Sequence, residues 1–279
     1  MLFATYNIHY GVGSDGGYDV ARIADVLADA DIACLQEVVR GWPQNGYADQ
    51  TAEIGERLNR YHRFHGPMEA DASTVDADGR ITSRRRSFGN AIVSRWPIAW
   101  SRGVMLPKTR LATGFDLQRG YIEAVVMAPP GPLRLYCTHL SHVGPAQRLP
   151  QVAALIDGVK GCEAAGATWD GAGSDSFMFH EPALAVPASA IVAGDFNFTP
   201  QDPEYSRVTA SGLVDAWQAA GNGEEGVESF PGEGRIDHVF VTPDLAPRVS
   251  RAWIDRGTPA SDHWPVFVEF GFGTLSRSS

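Results

Sequence analysis

Four apolar, strand-length runs follow one another between residues 88 and 138 with no helical pattern among them, a series that argues against a pure repeat of strand, helix and parallel strand. They are Phe88 to Ser94, Ile98 to Val104, Tyr121 to Met127 and Leu133 to Thr138, separated by Gly, Pro and polar residues. Strands and helices alternate on either side. Residues 2 to 9 read as a buried strand, a turn-rich stretch runs from Gly11 to Gly17, and Val20, Ile23, Val26 and Leu27 mark the apolar face of a helix. A second buried strand, Ile32 to Val38, precedes a helix from Ala48 to Leu58. Later come a helix around Ala146 to Val159, a strand at Ala190 to Ala193 and a short helix near Pro203 to Ala210, then strands at Ile236 to Val241, Val249 to Ile254 and Val266 to Phe270. The predicted class is α/β (α+β), with two packed mixed sheets flanked by helices.

A chain of 279 residues with 44% hydrophobic content can bury one large core, so residues 1–272 are expected to form one domain, with 273–279 as a C-terminal tail. No internal repeat or low-complexity tract interrupts it. Two stretches lack a clear pattern, His65 to Ser87 and Gly161 to Pro187, and are expected as long loops. The second mixes Gly171, Gly173 and Ser174 with Trp169, Phe177, Phe179 and His180; it reads either as a lid offering aromatic surface to a substrate or as a surface loop or oligomer contact. The balance of 23 Lys+Arg against 33 Asp+Glu gives a formal charge of -10, which opposes non-specific attraction to polyanionic nucleic acid. The Arg84, Arg85, Arg86 run is the clearest local exception, either a basic patch or a solvated loop. Cys34, Cys137 and Cys162 have no paired metal-ligand spacing and read as reduced thiols. With no leader pattern and no run of membrane-span length, a cytoplasmic protein is expected. Oligomerisation is left open.

Polar residues able to bind metals recur at the ends of the apolar strands, where strand termini can converge on one rim. Asn7 ends the first strand, Glu37 the second and His139 a middle one; Asp195 and Asn197 end another, Asp237 lies at another, and Asp262-His263 precedes the last. Singly, each fits a cap, a turn or a satisfied hydrogen-bonding role. Together they supply what a hard divalent cation needs: oxygen ligands from Glu37, Asp195, Asp262 and the amides of Asn7 and Asn197, with His139 and His263 as bases, ligands or phosphate donors.

The local strings Thr5-Tyr6-Asn7-Ile8-His9, Leu35-Gln36-Glu37-Val38, Gly89-Asn90-Ala91-Ile92, Thr138-His139-Leu140, Gly194-Asp195-Phe196-Asn197, Arg235-Ile236-Asp237 and Ser261-Asp262-His263 occur in one order. That series resembles the endonuclease/exonuclease/phosphatase (DNase I-like) superfamily, from Thr5 to Val266. The resemblance implies a four-layer α/β/β/α sandwich with its active site at one end of the packed sheets. It also implies hydrolysis of a phosphate ester by in-line attack of an activated water. Glu37 would be the principal Mg²⁺ or Mn²⁺ ligand, supported by Asn7 and completed by Asp262. Asp195 would orient or deprotonate the water, and Asn197 would hold that water or a phosphoryl oxygen. His263, oriented by Asp237, would contact the phosphate and is the other candidate base, while His139 would donate to a non-bridging oxygen. If two ions operate, Asn7 and Glu37 would hold one, and Asp195, Asn197 and His263 the other.

The sequence departs from the abasic-endonuclease branch at His9, where that branch has an aspartate, and resembles instead a bacterial branch of metal-dependent hydrolases. His9 is expected behind the metal ligands. Asn90 and Arg119 sit where relatives place substrate-side polar groups, although Arg119 fits a structural salt bridge equally well. The favoured reading is a phosphodiesterase acting on a small molecule or phospholipid head group. The alternatives are a nuclease acting on DNA or RNA, a phosphomonoesterase, and a non-catalytic binding module of the same fold.

Overall fold

The computed structural model describes residues 1–129, 131–171 and 182–272. Side chains alternate across its strands, and the alternation sorts them into three apolar layers. In chain order the elements are β1 (Leu2–Asn7), α1 (Val20–Val26), β2 (Ile32–Arg40), α2 (Gln50–Leu58), β3 (Tyr61–Asp71), β4 (Thr74–Val75), β5 (Ile81–Thr82), β6 (Arg85–Ser94), β7 (Ile98–Met105), β8 (Gly120–Ala128) and β9 (Gly131–His139). There follow α3 (Pro145–Lys160), α4 (Cys162–Ala165), β10 (Ala190–Asp195), α5 (Pro203–Ala210), β11 (Val214–Asp215), α6 (Ala216–Ala219), β12 (Asp237–Val241), β13 (Val249–Ile254) and β14 (Val266–Phe270). One six-stranded sheet has the order β13-β14-β1-β2-β6-β3, the other β11-β12-β10-β9-β8-β7. Phe3, Ile32 and Cys34 meet Leu135, Ile191 and Val239 between the sheets. Their neighbours Ala4, Tyr6, Ala33 and Leu35 face outward against Ile23 and Leu27 of α1 and Ile54 of α2. On the far side Tyr136, Val192 and Phe240 pack under Val152 and Leu155 of α3 and Val208 of α5. The result is the expected four-layer α/β/β/α sandwich. Asp19 and Asp49 start α1 and α2, each side chain accepting a hydrogen bond from a first-turn amide.

The stretch from His65 to Ser87 is not a loop. β3 pairs antiparallel with β6 from Tyr61↔Ser94 to Asp71↔Arg85, and a small β4–β5 hairpin lies between them. β3 is an edge strand, most of whose side chains are exposed or half-buried. It therefore carries His, Arg, Glu and Asp, which blunt an edge against further pairing and erase the apolar signal that betrays a strand. The Arg84 to Arg86 run is taken up locally: Arg84 stacks 4.1 Å from the Tyr47 ring, Arg85 pairs with Glu69 at 2.9 Å, and Arg86 lies 5.2 Å from the Trp42 ring. β1 stops at Asn7, two residues short of the expected end, because His9–Gly11 turn into a 3-10 helix.

In the Gly161 to Pro187 stretch, α4 forms, and Leu184 and Val186 pack against Trp100, whose Nε1 donates to Ala185 O at 2.9 Å. Gly173, Ser174, Phe177, Phe179 and His180 lie outside the described residues, as does the 273–279 tail. Cys34, Cys137 and Cys162 are buried and unpaired. No helix among the described residues is long and apolar enough to cross a membrane.

Candidate active site

Strand direction assembles the site. β1 and β2 run parallel with Asn7 opposite Gln36, so Asn7 and Glu37 leave the first sheet at the same end. β9 and β10 run parallel with His139 opposite Asp195, and β12 runs antiparallel to β10 with Asp237 opposite Asp195. β14 runs antiparallel to β1, which brings Asp262-His263, just before it, to the same rim. Gly194 permits the approach within the second sheet, since a Cβ there would collide with the Thr138 carbonyl oxygen.

Backbone strain marks the same place. His9, Tyr10, Glu37 and Asn197 have φ of 42, 44, 56 and 53°, in the left-handed region that side chains seldom adopt. All four line one cavity of about 330 Å³, together with Arg119, His139, His142, Asp195, Asp262 and His263. Glu37 lies where the β2–β6 register shifts between Leu35 and Val38. Such a bulge bends the strand and re-aims a side chain that a regular pleat would send elsewhere. Each strained residue costs about 1–3 kcal/mol, which the surrounding packing must offset.

At the centre is Asp195, 2% exposed. Its Oδ2 accepts from Asn7 Nδ2 at 2.9 Å and lies 3.2 Å from His139 Nε2, while its Oδ1 accepts from the Asn197 backbone N–H at 2.9 Å. Burial, then repulsion from Asp237, raise the Asp195 carboxyl well above the usual carboxylate range. His263 Nδ1 lies 2.9 Å from Asp237 Oδ2. Burial alone lowers an imidazole, but the Asp237 charge and hydrogen bond outweigh it and leave His263 raised to about 10. Its Nε2 lies 3.4 Å from Asn7 Nδ2. Ser261 Oγ donates to Asn7 O at 2.7 Å and accepts from His263 N, tying this loop to β1. Ser229 Oγ accepts from the Ile236 and Asp237 amides, fixing the start of β12. His139 is held neutral, by burial first and then by Arg119, His263 and His142. In metal-free protein the His263 ring signals in NMR are therefore expected to stay flat between about pH 6 and 8, where an unperturbed histidine titrates; a midpoint near 6.5 would show that Asp237 does not hold the proton.

Asn7 is 1% exposed. Its Oδ1 accepts from His9 N at 3.1 Å, and its Nδ2 also reaches Glu37 Oε1 at 3.4 Å. Asn197 Nδ2 donates to Leu140 O at 3.1 Å. Although expected behind the ligands, His9 lines the cavity, its Nδ1 3.1 Å from Val12 O and 3.6 Å from Asp262 Oδ2. Arg119 is 4% exposed, with Nη2 3.3 Å from His142 Nδ1; its Nε and Nη1 have no partner, and no carboxylate among the described residues forms the salt bridge considered for it. Asn90 stands apart. Rather than lining the cavity, its amide lies between the sheets where β6 faces β8, Nδ2 donating to Gly120 O at 2.9 Å and Oδ1 buried without a hydrogen-bond partner.

Tyr10, His142, Phe230 and Glu233 line the cavity and were missed. His142 had a signal, three residues after His139 in the same strand-end string. Phe230, whose ring lies 4.7 Å from His263, comes from a loop with no pattern of its own.

The cavity fits a divalent cation. Glu37 and Asp262 both line it and supply hard oxygen donors. Asp195, Asp237 and His263 also offer ligand atoms within 4.8 Å of one another. Within that group, His263 Nδ1 and Asp237 Oδ2 are hydrogen-bonded to each other.

The sequence matches the profile of the Endonuclease/Exonuclease/phosphatase family over residues 4–263. The chain belongs to this family. A solved endonuclease/exonuclease/phosphatase from Beutenbergia cavernae is 25% identical with a TM-score of 0.65, covering 97% of this chain and 72% of that one. A family protein from Leptotrichia buccalis is 14% identical with a TM-score of 0.67, over 98% and 100% of the two chains. The mannosyl-6-phosphatase of Bacteroides thetaiotaomicron is 22% identical with a TM-score of 0.60, again over 98% and 100%. No curated protein matches the chain. Its family membership makes it a phosphoester hydrolase, of a family that depends on divalent metal.

Proposed function

We propose that the chain is a Mg²⁺- or Mn²⁺-dependent phosphodiesterase acting on a small-molecule or phospholipid head-group ester. The observation that carries this reading is Arg119, a buried guanidinium with two unpartnered nitrogens, Nε and Nη1, on the wall of a cavity that also holds Asp195 and His263. A buried cation without a partner is costly, and a phosphoryl oxygen would satisfy it. Diester substrates are favoured over monoesters because Glu37, Asp195, Glu233 and Asp262 ring the cavity while Arg119 is the one permanent cation among its described lining residues. A monoanionic diester meets less repulsion there than a dianionic monoester.

A divalent cation held by Glu37, Asp262 and the Asn7 amide would polarise a phosphoryl oxygen and offset the carboxylate charge. Asp195 is then the base, since three of its roughly four lone-pair sites face Asn7, His139 and Asn197 and the remaining one is free for water. His263, its ring held by Asp237 through Nδ1, presents Nε2 to the phosphoryl group as a donor. His139 orients Asp195, and Asn197 braces it through its backbone.

The test is Mg²⁺- and Mn²⁺-dependent turnover of bis(p-nitrophenyl) phosphate and p-nitrophenyl phosphate beside supercoiled plasmid. Diester turnover with intact plasmid is expected, and Glu37→Gln should lose about 10- to 100-fold in metal affinity. Efficient plasmid nicking, lost in that variant, would make the protein a nuclease.

A further inference from the structure

A second, apolar groove of about 570 Å³ opens beside the catalytic cavity. Tyr10 lines both. Phe88, from the groove wall, lies with its ring 6.4 Å from that of His139, so the two spaces also meet across β6 and β9. The rest of the wall includes Val12, Trp42, Met68 and Phe115. Tyr10 and Phe115 are 38% and 69% exposed, and aromatic surface left open beside a polar catalytic centre marks a binding site.

The wall is pre-set. Trp42 Nε1 donates to Ser87 O at 2.8 Å and the Arg86 guanidinium covers its ring at 5.2 Å, so the indole cannot swing. Tyr10 is held in the left-handed region by the 3-10 turn after β1, its ring 4.2 Å from that of His9. An aromatic wall fixed before binding loses little entropy when a flat ring stacks on it.

We infer that this groove receives an aromatic group carried by the phosphate ester, so that the enzyme selects aryl-bearing diesters. The inference rests on the phosphodiesterase reading above. A saturated chain would fill the same volume without the edge and face contacts that Tyr10, Trp42, Phe88 and Phe115 offer.

The experiment compares methyl, hexyl and 2-naphthylmethyl esters of methyl phosphate, followed by phosphorus NMR with Mg²⁺ present. None brings a second aromatic group to compete for the groove. The naphthylmethyl ester is expected to exceed the dimethyl ester in kcat/KM by about tenfold or more, mostly through KM, and to exceed the hexyl ester. Phe115→Ser, at an exposed position that leaves folding intact, and Met68→Gln should each shrink that ratio by at least about threefold. A hexyl ester equal to or better than the naphthylmethyl ester, or a ratio that survives both substitutions, would overturn the inference. Equal rates for all three would overturn it while leaving the hydrolase reading standing. No turnover of any ester would remove the reading beneath it and the groove's role together.

Discussion

Asp195→Asn is expected to lower kcat by about 10³-fold or more while leaving the metal-free protein at least as heat-stable as wild type at pH 8. The rate loss follows from geometry: the carboxylate is the one group held by Asn7, His139 and Asn197 at the centre of the rim, and an amide cannot take a proton from water. The stability follows from charge. Burial and Asp237 raise the folded-state pKa above the unfolded value of 3.8, so the ionised carboxylate disfavours the fold. That penalty is absent below the unfolded pKa and grows as pH rises through the folded one. Asparagine never carries it, and any thermal advantage should therefore shrink toward pH 4. A variant retaining more than about a tenth of the wild-type rate would remove Asp195 from the base role. A Tm several degrees lower at pH 8 would show instead that its accepted hydrogen bonds outweigh the cost of its charge.

A buried carboxylate that disfavours the fold of the free protein is out of place in a core, and that is why the candidate site was partly legible in the sequence. Asn7, Glu37, His139, Asp195, Asp237 and His263 stand out as candidates because strand ends are visible as the limits of apolar runs, and a polar residue there has little apolar reason to exist. Parallel and antiparallel partners then bring those ends to one rim. Asn90 lies away from the cavity lining for the converse reason. Its Nδ2 donates to the Gly120 carbonyl between the two sheets, and in one dimension such an amide looks the same as one that lines a cavity. β3 was invisible because an edge strand is protected by the charges that hide it. Tyr10 owes its place to a positive φ that depends on how the 3-10 turn packs, not on a local composition. The apolar groove joins side chains from β2, β3, β6 and the segments around Tyr10 and Phe115, so no contiguous string announces it.

His263→Ala should slow the chemical step by about 10²- to 10⁴-fold, and its thermodynamic signature separates that loss from damage to the fold. His263 and Asp237 form a buried pair, 6% and 1% exposed, at 2.9 Å. Removing the imidazole alone leaves the Asp237 charge buried and unpaired, which costs about 3–5 kcal/mol. Adding Asp237→Asn to His263→Ala removes that stranded charge, so the double variant should regain much of the lost stability and none of the lost rate. The pH dependence carries the sign. The folded pKa of about 10 lies above the unfolded value of 6.5, so the pair's contribution is fully present below pH 6.5 and is lost as pH rises through 10. Metal-free wild type should accordingly lose stability toward pH 10, and the double variant should lack that component. If the double variant recovered the rate together with the stability, His263 would be scaffold and the proton donor would have to be sought elsewhere on the rim. If both stayed low, the two side chains would be joined to the fold by more than their charge, and the rate of the single variant could no longer be assigned to chemistry.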